Sequence, residues 1–105
     1  MQIIRSYSIL EYANLEFILA MMRKSVHTQE YRVFLELLIE ARHRANLTQD
    51  QLGERLPFEQ PAISKIERGE RRVDLIELRM ICECLGVTLG EFIAELEERL
   101  SQGQP

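Results

Sequence analysis

The stretch from Thr48 to Glu67 constrains the fold of this 105-residue chain more than any other part of the sequence. Thr48, followed three residues later by Gln51, forms the pattern of a capping box, which begins a helix. Pro57 must end that helix, because proline has no N–H to donate and its ring clashes with the preceding turn. Pro61 then fits the first turn of a second short helix, where a missing N–H costs nothing. The stretch therefore predicts two short helices with a tight break between them.

The apolar positions of the same stretch agree with this interpretation. Leu52 and Leu56 give the first short helix one apolar face, and Ile63 and Ile66 form the buried edge of the second. Gly69 supplies a left-handed stop after the second helix. Two short helices in this order form a helix-turn-helix, whose second helix enters the major groove of DNA. The stretch thus predicts DNA binding rather than catalysis.

Three further helices are predicted around this motif, running from Thr28 to Ala45, from Asp74 to Gly86 and from Thr88 to about Leu100. Their apolar residues follow helical spacing: Tyr31, Phe34, Leu35, Leu38, Ala41 and Ala45; Leu75, Leu78, Ile81, Cys82 and Leu85; Leu89, Phe92, Ile93, Leu96 and Leu100. Asp74 with Glu77 and Thr88 with Glu91 are further capping boxes. Asn46 and Gly86 can end helices in a left-handed conformation. The sequence predicts an all-α, compact five-helix bundle.

Residues 27–100 are expected to form this single domain, followed by a polar tail over residues 101–105. Residues 1–26 form an N-terminal extension that allows three interpretations. Ser8 with Glu11 could cap a helix, whereas Ile3, Arg5, Tyr7 and Ile9 alternate as in a strand. The extension could also be a leader, if translation starts at Met21 or Met22. No stretch reaches the ~18 consecutive apolar residues of a membrane span, and no membrane partner is expected.

Charge is distributed unevenly along the chain, whose net charge is −4. Residues 42–72 carry seven Lys or Arg against five Asp or Glu, whereas residues 74–105 carry two against seven. The basic excess therefore lies on the half that contains the helix-turn-helix. Since this excess is small, we expect salt-sensitive and moderate non-specific binding to DNA.

Cysteine and histidine usage indicates neither a metal site nor an enzyme. Cys82 and Cys84 are two apart on a helix and point in different directions, and His27 and His43 add no ligand spacing. We predict a core thiol at Cys82 and a half-exposed one at Cys84, as suits a reducing cytoplasm. No carboxylate pair, nucleophile–base pair or phosphate loop stands in a recognisable arrangement, so neither catalysis nor a cofactor is expected.

Three motifs, LTQDQLGERL, QPAISKIERGERR and LGVTLGEF, stand in the order and spacing of a known family. The chain resembles the Cro/repressor-like, or xenobiotic-response-element, helix-turn-helix regulators of bacteria and phages. The resemblance covers about Tyr31 to Leu96. It implies five helices, of which the second and third form the helix-turn-helix, and dimers that bind palindromic operators.

The resemblance also implies roles for ten residues. Base-edge contacts fall on Gln60, Pro61, Ser64 and Lys65; phosphate contacts fall on Gln49, Arg68, Arg71 and Arg72; and an ion pair joins Arg42 to Glu67. Glutamine can bond an adenine edge and lysine a guanine edge, which favours base contacts of Gln60 and Lys65 over an ordinary polar face. Ser64 allows either interpretation, and Pro61 can offer only an apolar contact. The three arginines follow the second motif helix without a matching acidic cluster, which favours phosphate contacts over a solvated charge run.

Two residues depart from the family pattern. Gly53 stands where the family usually has alanine, and glycine destabilises a helix interior by ~0.5–1 kcal/mol relative to alanine. Pro57 stands where the family often has a glycine with positive φ, which proline cannot adopt. Leu56, before proline, is also pushed toward extended conformations. We therefore expect an altered turn and a slightly different angle of the third helix.

Two functions of different classes follow from these observations. The first is a sequence-specific DNA-binding transcriptional regulator in the cytoplasm, acting as a dimeric repressor on a palindromic operator. The alternative is a protein-interaction adaptor or antitoxin that uses the helix-turn-helix as a scaffold, with a toxin or another regulator as its partner. Leu96 and Leu100 extend the last apolar stripe beyond the minimal domain. They form either a dimer interface or a cover for the N-terminal extension.

Overall fold

The computed structural model describes residues 28–102, which form five α-helices and no strand. The helices are α1 (Gln29–Arg44), α2 (Gln49–Glu54), α3 (Ala62–Glu67), α4 (Leu75–Leu85) and α5 (Leu89–Gln102). The prediction of an all-α, five-helix domain is confirmed. The helix, strand and leader interpretations of residues 1–26 lie outside the described residues. Helix α5 continues through the first two residues of the predicted polar tail.

The ends of the helices are set by the local signals in the sequence. The capping boxes Thr48–Gln51, Asp74–Glu77 and Thr88–Glu91 all form, with reciprocal N–H to oxygen distances between 2.7 and 3.1 Å. Asn46, with φ 58°, follows α1 in the left-handed conformation predicted for it. Gly86 ends α4 with φ 79°, which a side chain would disfavour. Propensity and capping therefore determine most of the helix ends.

The core lies where α1 packs against α3 and α5, with α2 on α3 and α4 on α5. Its fully buried side chains are Leu37, Leu52, Ile66, Ile81 and Cys82. Phe34 of α1 and Phe92 of α5 meet edge to face, with ring centroids 5.9 Å apart. Leu37 is absent from the predicted apolar stripe of α1, although it is the most buried residue of that helix. The packing places both short helices against a continuous apolar support.

The connection between α2 and α3 is longer than predicted. Helix α2 ends at Glu54 and α3 begins at Ala62, and Pro61 precedes α3 as its N-cap residue instead of lying in its first turn. The prediction of a tight break with Pro61 inside the helix is therefore wrong. The Pro61 carbonyl oxygen accepts from Lys65 N at 3.0 Å, as an N-cap residue does, so the first residue of the helix is Ala62. No residue from Arg55 to Gln60 has a positive φ, unlike the glycine that the family often has there.

An open apolar groove of about 440 Å³ lies between α1, α4 and α5. Its apolar lining consists of Tyr31, Phe34, Val73, Leu75, Leu78, Leu96 and Leu100, with Thr28, Glu30 and Asp74 completing the lining. Leu75 is 60% exposed, so its predicted place in the core stripe of α4 is wrong, and the adjacent Ile76 is 65% exposed. We call this feature the α1–α4–α5 groove. None of the helices within residues 28–102 is long and apolar enough to cross a membrane.

Candidate nucleic-acid interface

Helix α3 has one buried and one outward face. Ile63, Ile66 and Glu67 are buried, whereas Lys65 is exposed and Ser64 is half-buried. This alternation follows from helical spacing, because the apolar residues three apart contact the core and the polar residues between them do not. A six-residue helix therefore presents Ser64 and Lys65 outward.

Gln60 and Pro61 lie just before α3 and not on it. Both are exposed, and together with Ser64 they line a small cleft between the N-terminal ends of α2 and α3. Gln49 lines the same cleft from α2. The structure thus brings three of the four predicted base-edge residues to one cleft, while Lys65 lies next to it on α3.

A buried network fixes the end of α3 to the start of the helix-turn-helix. Arg42 Nε and Nη2 donate to Glu67 Oε2 and Oε1 at 2.7 and 3.0 Å, and both side chains are over nine-tenths buried. Gln49 Nε2 donates to Glu67 Oε1 at 2.8 Å, and Arg42 Nη1 donates to the Leu47 carbonyl oxygen at 2.8 Å. The ion pair implied by the resemblance is therefore present, and we call Arg42, Gln49 and Glu67 the Glu67 network.

Gln49 has a structural role that the sequence does not indicate. Its side-chain amide nitrogen is one of the three nitrogen donors to Glu67. One N–H of the amide that the resemblance assigns to a phosphate contact is therefore already used within the chain. Glu67 lies 18 positions further along the chain, and only the packing of α2 on α3 brings the two side chains together. Gln49 therefore connects the two helices of the motif.

Arg68 is paired with a carboxylate in its immediate neighbourhood. Its Nε and Nη2 donate to Glu70 Oε2 and Oε1 at 2.9 and 3.1 Å, and its Nη1 donates to Ser64 Oγ. The guanidinium lowers the pKa of Glu70, mainly through these hydrogen bonds. Both side chains are more than half exposed, so the pair lies at the surface next to the outward face of α3.

Arg71 is paired in the same way with Glu77 of α4. Its Nη2 and Nη1 donate to Glu77 Oε2 and Oε1 at 2.9 and 3.3 Å, and Nη1 also donates to the Arg72 carbonyl oxygen at 3.2 Å. The Arg71 guanidinium carbon lies 5.4 Å from the centroid of the Phe58 ring, a cation–π distance. These hydrogen bonds lower the pKa of Glu77 and raise the pKa of Arg71.

The three arginines that the resemblance assigns to phosphates pair in part with single glutamates. Two of them, Arg68 and Arg71, already donate to both oxygens of a carboxylate. The sequence pattern shows Glu70 two positions from Arg68, but the Glu77 contact depends on the path of the loop before α4. Arg72 is exposed on the same segment. Burial raises the pKa of Tyr31, and the positive charge of Arg72 opposes part of this increase.

The predicted thiols lie where the sequence indicates. Cys82 is fully buried and Cys84 is half-buried, and neither forms a disulfide. Burial raises the pKa of Cys82 to about 11. Among residues 28–102, no cluster of three or more His, Cys, Asp or Glu side chains is arranged to hold a metal ion.

Comparison with known proteins agrees with this geometry. A solved structure of an XRE-family like protein from Pseudomonas syringae pv. tomato is similar, with a TM-score of 0.65 and 37% sequence identity, over 75% of this chain and 96% of that chain. A sequence model of the helix-turn-helix domain family matches residues 34–96, more than half of the chain. The chain belongs to the XRE family of helix-turn-helix DNA-binding transcriptional regulators. The family resemblance of the motifs is thereby confirmed.

This XRE-family regulator is also similar to the "Control protein C.MunI" of Mycoplasma sp. The two are 30% identical over 57 residues, which is 54% of this chain and 77% of that protein. In the regulator described here, α2 and α3 are the helices of the motif, and α3 is the one whose position corresponds to a recognition helix. Its outward residues and the loop before it therefore form the candidate DNA-reading surface.

Proposed function

We propose that this regulator is a dimeric repressor that reads a palindromic operator with α3 and the loop preceding it. The observation that carries the proposal is the Glu67 network, since it fixes α3 from its buried side while Ser64 and Lys65 point outward. A reading element must be held in one position for its side chains to meet base edges in register. The resemblance to a protein named as a control protein agrees with a regulatory role.

Within this surface, Gln60 and Lys65 are proposed to read bases. Both are exposed, and their side chains can bond adenine and guanine edges in the major groove. Ser64 is a weaker reader, because its hydroxyl already accepts from Arg68. Pro61 has no donor and can offer only an apolar contact. We propose that the regulator acts without a cofactor or catalysis and in the cytoplasm.

A second copy of the chain is the proposed occupant of the α1–α4–α5 groove. The exposed Leu75 lines this groove together with the half-buried Leu96 and Leu100, and the exposed Ile76 follows Leu75 on α4. A large exposed apolar area of this kind marks an interaction site. A two-fold dimer would place the two α3 helices in successive major grooves, with half-site centres ~34 Å or ~10 base pairs apart.

The reading role is tested on operators selected from a random DNA pool. Binding of the selected duplex is measured by fluorescence anisotropy for the wild type, Gln60→Ala and Gln29→Ala, the last a matched change at an exposed position of α1. Gln60→Ala is expected to cost ~1–3 kcal/mol at one operator position and to relax preference there. If the wild type prefers no selected sequence over random DNA at moderate salt, the repressor proposal fails.

The dimer is tested by sedimentation of Leu100→Lys against Ala94→Lys, an exposed site on the same helix outside the groove. Leu100→Lys is expected to shift the mass to that of a monomer and to weaken operator binding, whereas Ala94→Lys changes neither. A Leu100→Lys protein that keeps its mass but unfolds at lower urea would show that the groove is covered by residues of the same chain.

The adaptor or antitoxin alternative is favoured by one observation, the same apolar groove beside an acidic half of the chain. In that case the groove would bind a different protein and the helix-turn-helix would serve as a scaffold. The absence of any preferred DNA sequence, together with a monomeric wild type, would favour it over the repressor.

A further inference from the structure

Two arginine–glutamate pairs lie on the segment that follows α3. Arg68 with Glu70 and Arg71 with Glu77 each join two guanidinium nitrogens to both oxygens of one carboxylate, at 2.9 to 3.3 Å. This is the bidentate arrangement in which an arginine also binds a phosphate group. Each carboxylate therefore occupies the donors that a DNA phosphate would use.

The remaining donors of both arginines are also partly engaged within the chain. Arg68 Nη1 donates to Ser64 Oγ, and Arg71 Nη1 donates to the Arg72 carbonyl oxygen. A phosphate can take the bidentate position on either guanidinium only after the carboxylate moves away, and until then the carboxylate repels that phosphate. The exposed position of the Arg68–Glu70 pair makes such an exchange sterically simple.

We propose that Glu70 and Glu77 limit non-specific binding by occupying Arg68 and Arg71 in loose complexes with random DNA and releasing them only on the operator. The proposal rests on the operator binding proposed above. On random DNA, phosphate contacts supply essentially all of the affinity, so two occupied arginines weaken binding. On the operator, base contacts of Gln60 and Lys65 fix α3 in register, and the phosphates next to it displace both carboxylates.

The test compares Glu77→Gln with Glu91→Gln. Both glutamates occupy the third position of a capping box, and glutamine retains such a box, as Thr48 with Gln51 shows in this chain. Both changes remove one negative charge, but Glu91 forms no ion pair within residues 28–102, whereas Glu77 pairs with Arg71. A difference in affinity between the two variants therefore reports the charge beside Arg71 and not the net charge, and the salt slope reports whether Arg71 has gained a phosphate.

Affinity for the selected operator and for random duplex DNA is measured at several salt concentrations. On random DNA, Glu77→Gln is expected to bind more tightly than Glu91→Gln and to show a salt slope steeper by ~0.9, the value for one added phosphate contact. On the operator, where Arg71 already contacts phosphate, the slope is expected to stay at the wild-type value. Operator affinity is expected to rise as well, because Glu77→Gln has no ion pair with Arg71 to break there.

Glu70→Gln is the second variant, in an exposed loop where a loss of folding is not expected, and it should change the random-DNA slope in the same direction. Unchanged random-DNA slopes for both variants would overturn the proposal, and so would equal steepening on operator and random DNA. A wild type without any preferred sequence would instead refute the operator proposal, whatever the variants do. The two failures are therefore distinguishable.

Discussion

Replacing Arg42 with alanine should remove four hydrogen bonds around a buried ion pair, the longest of them a 3.4 Å contact with His43 Nε2. Two of them go to Glu67 and one to the Leu47 carbonyl oxygen, and Gln49 is the one side-chain donor within residues 28–102 that Glu67 would keep. Removing one partner of a buried pair destabilises by ~3–5 kcal/mol, because the other charge stays buried without compensation. Since Gln49 still donates to Glu67, we expect a loss near the lower end, ~3 kcal/mol. For a domain of this size that corresponds to ~12–24 °C in melting temperature.

The assay is urea unfolding followed by circular dichroism, with Arg44→Ala as the matched control on the same helix. Arg44 is 57% exposed and contacts Glu95 at 3.3 Å, so its loss is expected to cost less than ~1 kcal/mol. The double variant Arg42→Met/Glu67→Leu should recover most of the stability, because an apolar pair leaves no charge unpaired. If Arg42→Ala is no less stable than Arg44→Ala, the Glu67 network does not hold the domain together. A double variant as unstable as Arg42→Ala would attribute the loss to packing.

Three further outcomes are expected from other parts of the fold. Gly53→Ala should raise the free energy of unfolding in urea by ~0.5–1 kcal/mol, because alanine is the better helix former. The added Cβ has room, since the nearest atom outside α2 is a side-chain carbon at 3.9 Å. A lower free energy of unfolding would mean that α2 and α3 approach more closely. A thiol reagent should modify Cys84 in the folded protein and reach Cys82 only on unfolding, because Cys82 is buried and its burial raises the thiol pKa to about 11. Rapid labelling of both cysteines in the folded protein would contradict this burial. The hydrogen bond from Arg99 lowers the pKa of Glu40, so the pair stabilises the fold at a pH above the unfolded pKa of 4.5 and loses this effect as the pH falls through the lowered pKa. Arg99→Gln should therefore flatten the pH dependence of the free energy of unfolding in that range. An unchanged pH dependence would exclude a contribution from the pair.

The sequence predicts what depends on neighbouring residues and misses what depends on the path of the chain. The Thr48 capping box and the left-handed Asn46 are local, and both are found where the pattern predicts them. The pairing of Arg71 with Glu77 is not local in this sense, because it requires the loop between them to turn back on the start of α4. Pro61 shows a third case, in which a local rule is wrong by one position. Its tolerance in a first turn predicts a helical residue, but Pro61 is the N-cap residue and α3 begins at Ala62.

The arrangement of the candidate DNA-reading surface is predictable only in part. Helical spacing correctly assigns the outward positions of α3, since Ser64 and Lys65 are the residues left after the apolar ones are buried. Spacing contains no information on which polar side chains satisfy each other across helices. The hydrogen bond from the Gln49 amide nitrogen to Glu67 is such a contact, and neither spacing nor the family resemblance indicates it.

The shortness of α3 has a consequence for how the reading surface responds to solvent. Six residues are far fewer than the ~12–15 that an isolated helix needs to be even marginally stable in water. Its helical form must therefore come from Ile63, Ile66 and the three hydrogen bonds at Glu67, which belong to the core of the domain. Amide protons of α3 are then expected to exchange with solvent only when the whole domain unfolds, without a separate local opening. The surface would thus meet DNA already ordered, and binding would carry no heat-capacity signature of coupled folding.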